Sequence, residues 1–376
     1  MTSAPPSVTD VLIVGAGIAG AGLAAMLAPH RRVTIIEAED APGLHATGRS
    51  AAFWHETYGG AGVQPLSTAS FEYLAHPDAA FSERPFLSPR VALTIGRREE
   101  RAAVETYARE FAARGVEVER LSGAALAARI PGLRPEWQEG AREPTCSDID
   151  VAALHAAYLR VAKRAGADLV LRAPLERARR NGGRWIVETG RGEIAASLIV
   201  NAAGAWADGV AAACGVRPVG IQPLRRTVLQ VRLGVPVPAA LPLILHVGGD
   251  FYFKGESEGR VWLSPHDETP SAPCDATPEE IDVAVAIDRL QSVVDWPVAA
   301  IERKWAGLRS FAPDRLPVFG PDRDESAFIW CAGQGGFGIQ TSPAISALLA
   351  AELGAPLPPG AIAGIDPAPY APTRFV

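Results

Sequence analysis

The chain has 376 residues, of which 48% are hydrophobic and 21% charged, and its 36 basic and 42 acidic residues give a formal net charge of -6. This composition is typical of a globular protein and excludes a disordered or fibrous chain. The acidic balance, without a long block of lysine and arginine, argues against nucleic acid as a partner. The first apolar run is far too short for a signal sequence or a membrane span, so we expect a cytoplasmic protein without a membrane span.

Neither a disulfide framework nor a metal site is expected. The four cysteines lie far apart and form no C-x-x-C pair, so we expect all of them to be buried thiols: Cys146, Cys214, Cys274 and Cys331. The seven histidines are scattered and lack the spacing of metal ligands.

The N-terminal segment predicts a dinucleotide-binding unit. A strand-like apolar run precedes Gly15-Ala16-Gly17-Ile18-Ala19-Gly20, a helix-like stretch follows, and a second apolar run ends in Glu37. Gly15 permits a tight turn, Gly17 lets a pyrophosphate approach the backbone, and Gly20 lets the helix pack on the strand. Glu37 can accept hydrogen bonds from ribose hydroxyls.

The following elements indicate that the chain crosses several times between two domains. We expect a helix over 151–164, capped by Asp150, followed by strands near 169–171, 185–187 and 195–201 with a hairpin turn at 181–183. Further strands are expected over 227–232, 250–254 and 260–263, and a helix beginning at the capping box 277–280. The tail over 356–372 is expected to wrap around the surface. We therefore assign 1–56, 144–219 and 301–376 to the dinucleotide-binding domain, and 57–143 and 220–300 to a substrate domain.

Two later segments point to a cofactor lying against backbone. At 198–206 a buried strand opens into the small-residue turn Asn201-Ala202-Ala203-Gly204-Ala205-Trp206, where larger side chains would clash with a ligand. At Gly333-Gln334-Gly335-Gly336-Phe337-Gly338-Ile339-Gln340, four glycines precede a helix-like stretch over 342–353 and offer N–H groups to an anionic atom.

Together with the stretches 43–52 and 305–311, these motifs resemble the D-amino acid oxidase superfamily of flavoproteins, and within it most resemble bacterial D-arginine dehydrogenases, from about residue 10 to 342. The resemblance implies an α/β plus α+β fold: a glutathione-reductase-like Rossmann domain that binds FAD noncovalently, with an inserted antiparallel β-sheet substrate domain. A covalent link through Cys331 is not expected, since family members with a cysteinyl flavin place that cysteine near 308–309.

The resemblance also implies which residues hold FAD, with the backbone of Leu175 pairing with adenine. The expected cofactor-binding residues are Gly15, Gly17, Ala19, Gly20, Glu37, Ala38, Ala46, Thr47, Gly48, Arg49, Ser50, Ala51, Ala52, Leu175, Gly204, Gly335, Gly336, Gly338, Ile339 and Gln340.

On the substrate side, an arginine in a cleft offers a planar fork that matches a carboxylate. Arg226 and Arg309 match the carboxylate-binding arginines of the family, with Arg225 as the alternative to Arg226. Tyr58 matches a family pocket tyrosine, and strand alternation directs Tyr252 away from its phenylalanine neighbours. Gly336 and Gln340, at the flavin ring, complete the expected catalytic set.

Two departures from the family pattern bear on the substrate. Ala92 stands where D-arginine dehydrogenase has the glutamate that pairs with a guanidinium, and Phe53 stands where the family pattern has a histidine near the flavin. Leu243 and Leu245 would add apolar wall, with His246 as a polar neighbour. We therefore expect a neutral, apolar or bulky substrate side chain.

The function implied is FAD-dependent oxidative deamination of a D-amino acid, through an imino acid, to a 2-oxo acid. An N-methyl or cyclic secondary amine, a 2-hydroxy acid, and a noncatalytic FAD-binding subunit are the alternatives. The electron acceptor, whether quinone, dye-like acceptor or O2, is left open, and a dehydrogenase is favoured over an oxidase by resemblance alone.

Overall fold

The structure is a computed structural model that describes residues 6–375. Its strands in chain order are β1 (Val8–Val14), β2 (Val33–Ile36), β3 (Phe53–Trp54), β4 (Leu87–Pro89), β5 (Ala92–Arg97), β6 (Glu119–Ser122), β7 (Trp137–Glu143), β8 (Ser147–Ile149), β9 (Asp168–Val170), β10 (Leu175–Asn181), β11 (Arg184–Thr189), β12 (Gly192–Asn201), β13 (Gln222–Leu233), β14 (Leu243–His246), β15 (Tyr252–Ser257), β16 (Arg260–Ser264), β17 (Thr269–Pro270), β18 (Val298–Phe311), β19 (Val318–Pro321), β20 (Phe328–Ala332) and β21 (Gln334–Gly335).

The α-helices are α1 (Ile18–Leu27), α2 (Gln64–Ala75), α3 (Arg101–Ala112), α4 (Gly123–Ala127), α5 (Val151–Arg164), α6 (Ala207–Ala213), α7 (Glu280–Val293) and α8 (Gly338–Glu352). Short 3-10 helices lie at Arg98–Glu100, Gly204–Trp206, Ala361–Gly364, Ala368–Tyr370 and Pro372–Arg374. No helix in this part of the chain is both long and apolar enough to cross a membrane.

The first sheet has the order β10-β11-β12-β1-β2-β9, extended by β20 and β19 beside β12. Its centre is parallel, because β1 pairs in parallel with both β12 and β2. A core formed with α1 and α8 covers one face, and a second core around Trp185 and Trp330 covers the other. Burial on both faces explains why β1 and β2 are nearly continuous apolar runs.

The second sheet has the order β21-β18-β13-β16-β15-β14-β5-β7-β6 and is antiparallel except for the parallel pair β14 and β5. Its main core lies against α7 and includes Phe251 and Phe253. A third sheet of three strands has the order β3-β8-β4. Along the sequence its strands occur where the chain passes between the two large sheets: β3 and β4 precede β5, and β8 follows β7. The predicted combination of a Rossmann-type domain and an antiparallel sheet is confirmed.

The strands do not follow every predicted domain boundary. The boundaries at 143/144 and 219/220 fall beside the end of β7 and the start of β13. The boundary at 300/301 is wrong, because it cuts β18, whose residues 298–311 pair with β13 in the second sheet. Helix α2, which we placed in the substrate domain, contributes Leu66 and Ala69 to the core of the first sheet.

Three local predictions also need correction. The helix expected from residue 277 begins at Glu280, because Glu279 is extended and its carboxylate pairs with Arg225. The C-terminal tail runs over the surface as expected but inserts Ile362 and Tyr370, which are 1% and 3% exposed, into the first core. Cys274 is exposed, whereas the other three cysteines are buried as predicted.

The Asp150 carboxylate caps α5 as predicted, accepting a hydrogen bond from the Ala153 amide at 2.9 Å. We expect Asp150→Ala to lower the free energy of unfolding by about 1 kcal/mol, because one donor of the first helical turn loses its partner. Asp150→Asn keeps an acceptor oxygen and should unfold at the wild-type urea midpoint. An equal loss in both variants would contradict the capping role.

Candidate active site

A cleft of about 350 Å³ runs between the two large sheets, from Glu37 and Leu175 at one end to Arg309 and Gly336 at the other. Most of the predicted cofactor-binding residues line it: Gly15, Gly17, Ala19, Glu37, Ala38, Ala46, Thr47, Arg49, Ser50, Ala51, Leu175, Gly204, Gly335, Gly336, Gly338 and Ile339. Gly20, Gly48, Ala52 and Gln340 do not line the cleft and lie behind its wall. The sequence motifs thus converge on one long pocket.

The glycine-rich turn forms the floor of the cleft beside α1. Gly15 has φ +104°, and a Cβ there would lie 2.5 Å from the Ala202 carbonyl oxygen. A Cβ on Gly20 would lie 2.0 Å from the Gly15 carbonyl oxygen, so Gly20 serves helix packing rather than ligand contact. Helix α1 has no side-chain cap at Gly17, and the Ile18 amide donates to Thr47 Oγ1 at 3.0 Å. Thr47 therefore satisfies the first amide of the helix, and the positive N-terminal end of α1 suits an anionic group.

Glu37 is held rigidly at the far end of the cleft. Its Oε2 accepts from the Ala16 amide at 2.8 Å, and its Oε1 accepts from the Glu39 amide at 3.1 Å. Each carboxylate oxygen can accept a second hydrogen bond, so both keep capacity for a ligand hydroxyl.

The guanidinium of Arg49 binds backbone carbonyls and a carboxylate at the edge of the cleft. Its guanidinium donates to the carbonyl oxygens of Ala276 and Ala306, at 2.8 and 3.1 Å, and pairs with Asp275. Its role is therefore to tie the segment around 275–276 to the cleft, while its stem contributes to the lining. Gly48 supports the same turn, donating its amide hydrogen to the Gly43 carbonyl at 2.8 Å.

The register of β13 and β18 brings the two predicted arginines together. Arg226 lies opposite Gly307, and Leu224 lies opposite Arg309, so the arginines are diagonal neighbours on one face of the sheet. Arg225, the alternative, points to the other face and pairs with Glu279 and Asp282. Arg226 and Arg309 both line the cleft, whereas Arg225 does not.

The two arginines have different partners. Arg226 is 3% exposed, and it donates from Nε to the Asp267 carbonyl at 2.8 Å and from Nη2 to Glu268 at 3.2 Å, while its Nη1 has no partner. Within residues 6–375 no carboxylate lies in ion-pair distance of Arg309, whose Nη1 donates to the Tyr58 hydroxyl at 2.5 Å. A buried, unpaired guanidinium is unfavourable, so this end of the cleft suits an anion.

Gly336 keeps the space beside Arg309 and Tyr58 open. A Cβ at this position would lie 2.8 Å from Arg309 Nη1 and 3.0 Å from the Tyr58 hydroxyl. Burial alone would raise the pKa of Tyr58, but the charges of Arg309 and Arg226 outweigh it and hold that pKa below its ordinary value.

The turn that carries Tyr58 is fixed from two sides. Glu143, which sequence reasoning missed, accepts from the Glu56 amide at 2.7 Å and from the Thr57 hydroxyl at 2.9 Å. Gln340 donates to the carbonyls of His55 and Tyr58, at 3.2 and 3.3 Å. In this structure Gln340 holds the tyrosine turn from behind, and its predicted contact with the flavin stays a prediction.

An apolar and aromatic cluster packs behind this end of the cleft and reaches the cleft lining through Ala51 and Val228, whereas Tyr58 and Tyr252 do not themselves line it. Tyr252, Phe53 and Ala92 pack in one cluster with Leu243 and Leu245. Tyr252 faces away from Phe251 and Phe253, as strand alternation predicts, and its hydroxyl has no hydrogen-bond partner.

His246 does not add polarity to this cluster as the sequence suggested. It stacks on Phe251, and its Nε2 lies 2.8 Å from Glu100 on the other side of the sheet.

His266 was missed by sequence reasoning because it follows the end of β16 without any recognisable motif. Tyr252 pairs with Ser264, which brings the backbone two residues later to the same end of the site. The His266 ring packs edge-on against Tyr252, and its Nε2 lies 3.5 Å from the Tyr58 hydroxyl. Its Nδ1 contacts the carbonyl oxygen of Gly249.

The cleft fits the predicted FAD. Three of its lining residues hold buried polar atoms without partners: His45 Nδ1, Arg226 Nη1 and Ser310 Oγ. Buried polar groups are nearly always satisfied, so these atoms indicate a polar ligand. The other end offers the positive N-terminal end of α1 and the Glu37 carboxylate for a pyrophosphate and a ribose. Within residues 6–375 no three His, Cys, Asp or Glu side chains are grouped to hold a metal ion.

Comparisons with known proteins agree with this geometry. A family model described as DAO, FAD dependent oxidoreductase, matches residues 10–352. The hydrogen cyanide synthase subunit HcnC of Pseudomonas protegens is 28% identical over 237 residues, which cover 62% of this chain and 55% of that subunit. The chain therefore spans about half the length of that relative.

Two further relatives extend the comparison. The glycine oxidase of Geobacillus kaustophilus is 25% identical over 364 residues, 92% of each chain, and its crystal structure superposes with a TM-score of 0.84 at 23% identity, covering 99% of this chain and 100% of that one. The mitochondrial dimethylglycine dehydrogenase of Mus musculus is 28% identical over 254 residues, 61% of this chain and 29% of that enzyme. These relatives carry names other than D-arginine dehydrogenase, so the narrower resemblance stays a prediction.

The four cysteines differ in exposure, and the exposed one, Cys274, lines the cleft. Burial raises the pKa of Cys331 and of Cys214 to about 12, and raises that of Cys146 well above its ordinary value, whereas Cys274 is exposed at the cleft. We expect one fast-reacting thiol per native chain with Ellman's reagent at pH 8, and none in Cys274→Ser. Fast reaction of a second thiol in the folded protein would contradict the burial described here.

Proposed function

Because the chain belongs to the DAO family of FAD-dependent oxidoreductases, we propose that it deaminates a D-amino acid with a neutral, apolar or bulky side chain. FAD is its cofactor and, when bound in the cleft, would supply the two-electron oxidant for the substrate Cα–H bond. The imino acid product hydrolyses in water to a 2-oxo acid and ammonia. The observation that carries the proposal is a pair of arginines, Arg226 buried and Arg309 half-buried, beside an apolar cluster at one end of the cofactor cleft.

The arginine pair would bind the substrate carboxylate. Arg309 lacks an anionic partner in residues 6–375, and Arg226 keeps Nη1 free beside it, so together they offer donors to two carboxylate oxygens. Charge-assisted hydrogen bonds of this kind are short and strong, and they fix the orientation of the bound group. Fixing the carboxylate aligns Cα for reaction, which can contribute several kcal/mol to catalysis.

The apolar cluster supports a neutral side chain. Ala92, Phe53 and Tyr252 belong to this cluster. The carboxylate nearest to Ala92 across the strands, Glu143, already accepts from the Glu56 amide and the Thr57 hydroxyl, so a neutral substrate side chain suits this cluster better than a cationic one. The nearby carboxylates of Asp267 and Glu268 are bound to Thr227, Arg226 and Arg315. D configuration and electron transfer to an acceptor other than O2 rest on the resemblance to the D-arginine dehydrogenases.

A dedicated base is not needed for this chemistry. Only the neutral amine can release a hydride, so the rate should rise with pH as the bound ammonium loses its proton to water.

A secondary or N-methyl amine is the second candidate substrate. The similarity to a protein named dimethylglycine dehydrogenase favours it, and Ala92 and Phe53 leave the site without a group that would mark a primary amine. The two candidates share the carboxylate and differ at the nitrogen.

An anaerobic substrate panel tests the function. We expect neutral D-amino acids to bleach the visible flavin band, and L-amino acids, N-methylglycine and 2-hydroxy acids to leave it unchanged. Bleaching by N-methylglycine alone would select the second candidate, and no bleaching by any compound would refute amine oxidation. Reoxidation by O2 or by a quinone then identifies the electron acceptor.

The carboxylate clamp can be tested separately. Arg309→Ala should weaken kcat/KM by about 30-fold or more, since a lost charge-assisted contact costs roughly 2 kcal/mol or more. Arg225→Ala, the matched control on the next residue of the strand, should change kcat/KM by less than about twofold because Arg225 faces away from the cleft. A change of less than about twofold in Arg309→Ala would refute the clamp.

A further inference from the structure

Building on the proposed amine oxidation, we propose that His266 is a positioning residue for Tyr58. Its Nε2 accepts a hydrogen bond from the Tyr58 hydroxyl, so that the Tyr58 oxygen faces the substrate as a hydrogen-bond acceptor for the amine. Different residues would then bind the two polar groups of the substrate: the arginines would bind the carboxylate, and the Tyr58 oxygen would bind the nitrogen.

The first step is the tautomer of His266. Its Nδ1 contacts the carbonyl oxygen of Gly249, which can only accept a hydrogen bond, so Nδ1 carries the ring hydrogen. In a neutral imidazole the other nitrogen is then a bare acceptor. That nitrogen, Nε2, faces the Tyr58 hydroxyl at 3.5 Å.

The second step is the charge of His266. Burial, together with the positive charges of Arg226 and Arg309, lowers the pKa of His266 to about 2, and the charge of Arg315 acts in the same direction. The nearby carboxylates, Asp267 and Glu268, are bound to other side chains. Tyr58 and Tyr252 are the remaining titratable groups against the ring. The imidazole therefore stays neutral throughout the pH range of an assay.

The third step is the direction of the phenol hydrogen. The Tyr58 oxygen accepts from Arg309 Nη1 at 2.5 Å, and a guanidinium has no acceptor, so the hydrogen must point elsewhere. His266 Nε2 is the acceptor that the described residues offer it. The separation of 3.5 Å is long, as hydrogen bonds in ligand-free active sites often are before they tighten around a substrate.

The consequence is an acceptor directed at the substrate. When the phenol hydrogen points to His266 and Arg309 donates to the oxygen, the substrate amine would use the second lone pair of the Tyr58 oxygen, on the side where Arg226 also lies close. Gly336 leaves the neighbouring space open, since any Cβ there would lie 3.0 Å from this oxygen. An N–H of the substrate amine can donate to it, and the nitrogen lone pair that expels the hydride stays free.

The backbone of His266 allows well-matched variants. Its φ is +56°, a left-handed conformation that asparagine also tolerates. His266→Asn can keep a donor toward Gly249 and removes the Nε2 acceptor, whereas His266→Gln places an amide oxygen near the position of Nε2. His246→Asn is the control, because that histidine is similarly buried but pairs with Glu100 on the other side of the sheet.

The first experiment is independent of the substrate. In the FAD-loaded protein with 15N-labelled histidine, NMR should show His266 as the Nδ1–H tautomer, and Tyr58→Phe should shift its Nε2 resonance by removing the hydrogen bond. An Nε2–H tautomer, or an Nε2 resonance that does not respond to Tyr58→Phe, would overturn the proposal. This outcome is readable even if no amine reduces the flavin, a result that would refute only the proposed function.

The second experiment follows the pH profile of anaerobic flavin reduction with the substrate found in the panel. In His266→Asn the phenol hydrogen is free to turn to the amine lone pair, so the limiting rate at high pH should fall about tenfold. A hydrogen bond donated to the neutral amine favours the neutral form, so the apparent pKa of the bound amine should also fall, by about half a unit or more.

The accompanying variants separate positioning from structural damage. His266→Gln should restore most of the rate, His246→Asn should match the wild type, and the dissociation constant of benzoate, a carboxylate without an amine, should be unchanged throughout. In a Tyr58→Phe background His266→Asn should have no further effect, since the histidine acts through the phenol. Weaker benzoate binding in His266→Asn, or an equal rate loss in the Tyr58→Phe background, would overturn the proposal.

Discussion

The placement of two like charges, one buried and one half-buried, on one face of β13 and β18 is the constraint on which the rest of the site depends. Arg226 and Arg309 are diagonal neighbours in the sheet, and only Arg226 has carboxylates close by. Such an arrangement is costly until an anion enters, because a buried charge without a partner loses its hydration. The sheet therefore presents a position in the cleft that suits an anion, and the neighbouring groups leave that position open.

The groups around the arginines keep it open by holding Tyr58 in place. Glu143 and Gln340 fix the turn that carries the tyrosine, one from β7 and the other from α8. The hydroxyl accepts from Arg309, which steadies the guanidinium without neutralising it. Since Gly336 lacks a side chain, neither group is displaced into the space where a substrate would lie. Charge, orientation and space are thus supplied by different segments of the chain.

The cofactor half of the site could be predicted from the sequence because its signals are local. The glycines at 15–20, the flanking strands and Glu37 lie within one short stretch, and their spacing follows from backbone geometry. Glu143 and His266 could not be predicted, since each acts through a contact with a segment distant in the chain, Thr57 in one case and Tyr58 in the other. The start of α7 was misplaced for the same reason, because Arg225 of β13 draws Glu279 away from the helix.

The same contrast explains how this fold can change its substrate while keeping its cofactor. At the end of the cleft near Glu37, the lining consists of a glycine-rich turn without room for a side chain at Gly15 and of one carboxylate fixed by the Ala16 amide, so a side chain added at Gly15 would collide with backbone. At the substrate end, Ala92 and Phe53 are side chains in a cluster that is separate from the arginine pair. Under the proposed function, replacing either one would alter which substrate side chain fits and would leave the two arginines and the glycine-rich turn in place. Ala92 lies in the second sheet and Phe53 in the three-stranded sheet, so neither of these two side chains belongs to the sheet that carries the glycine-rich turn.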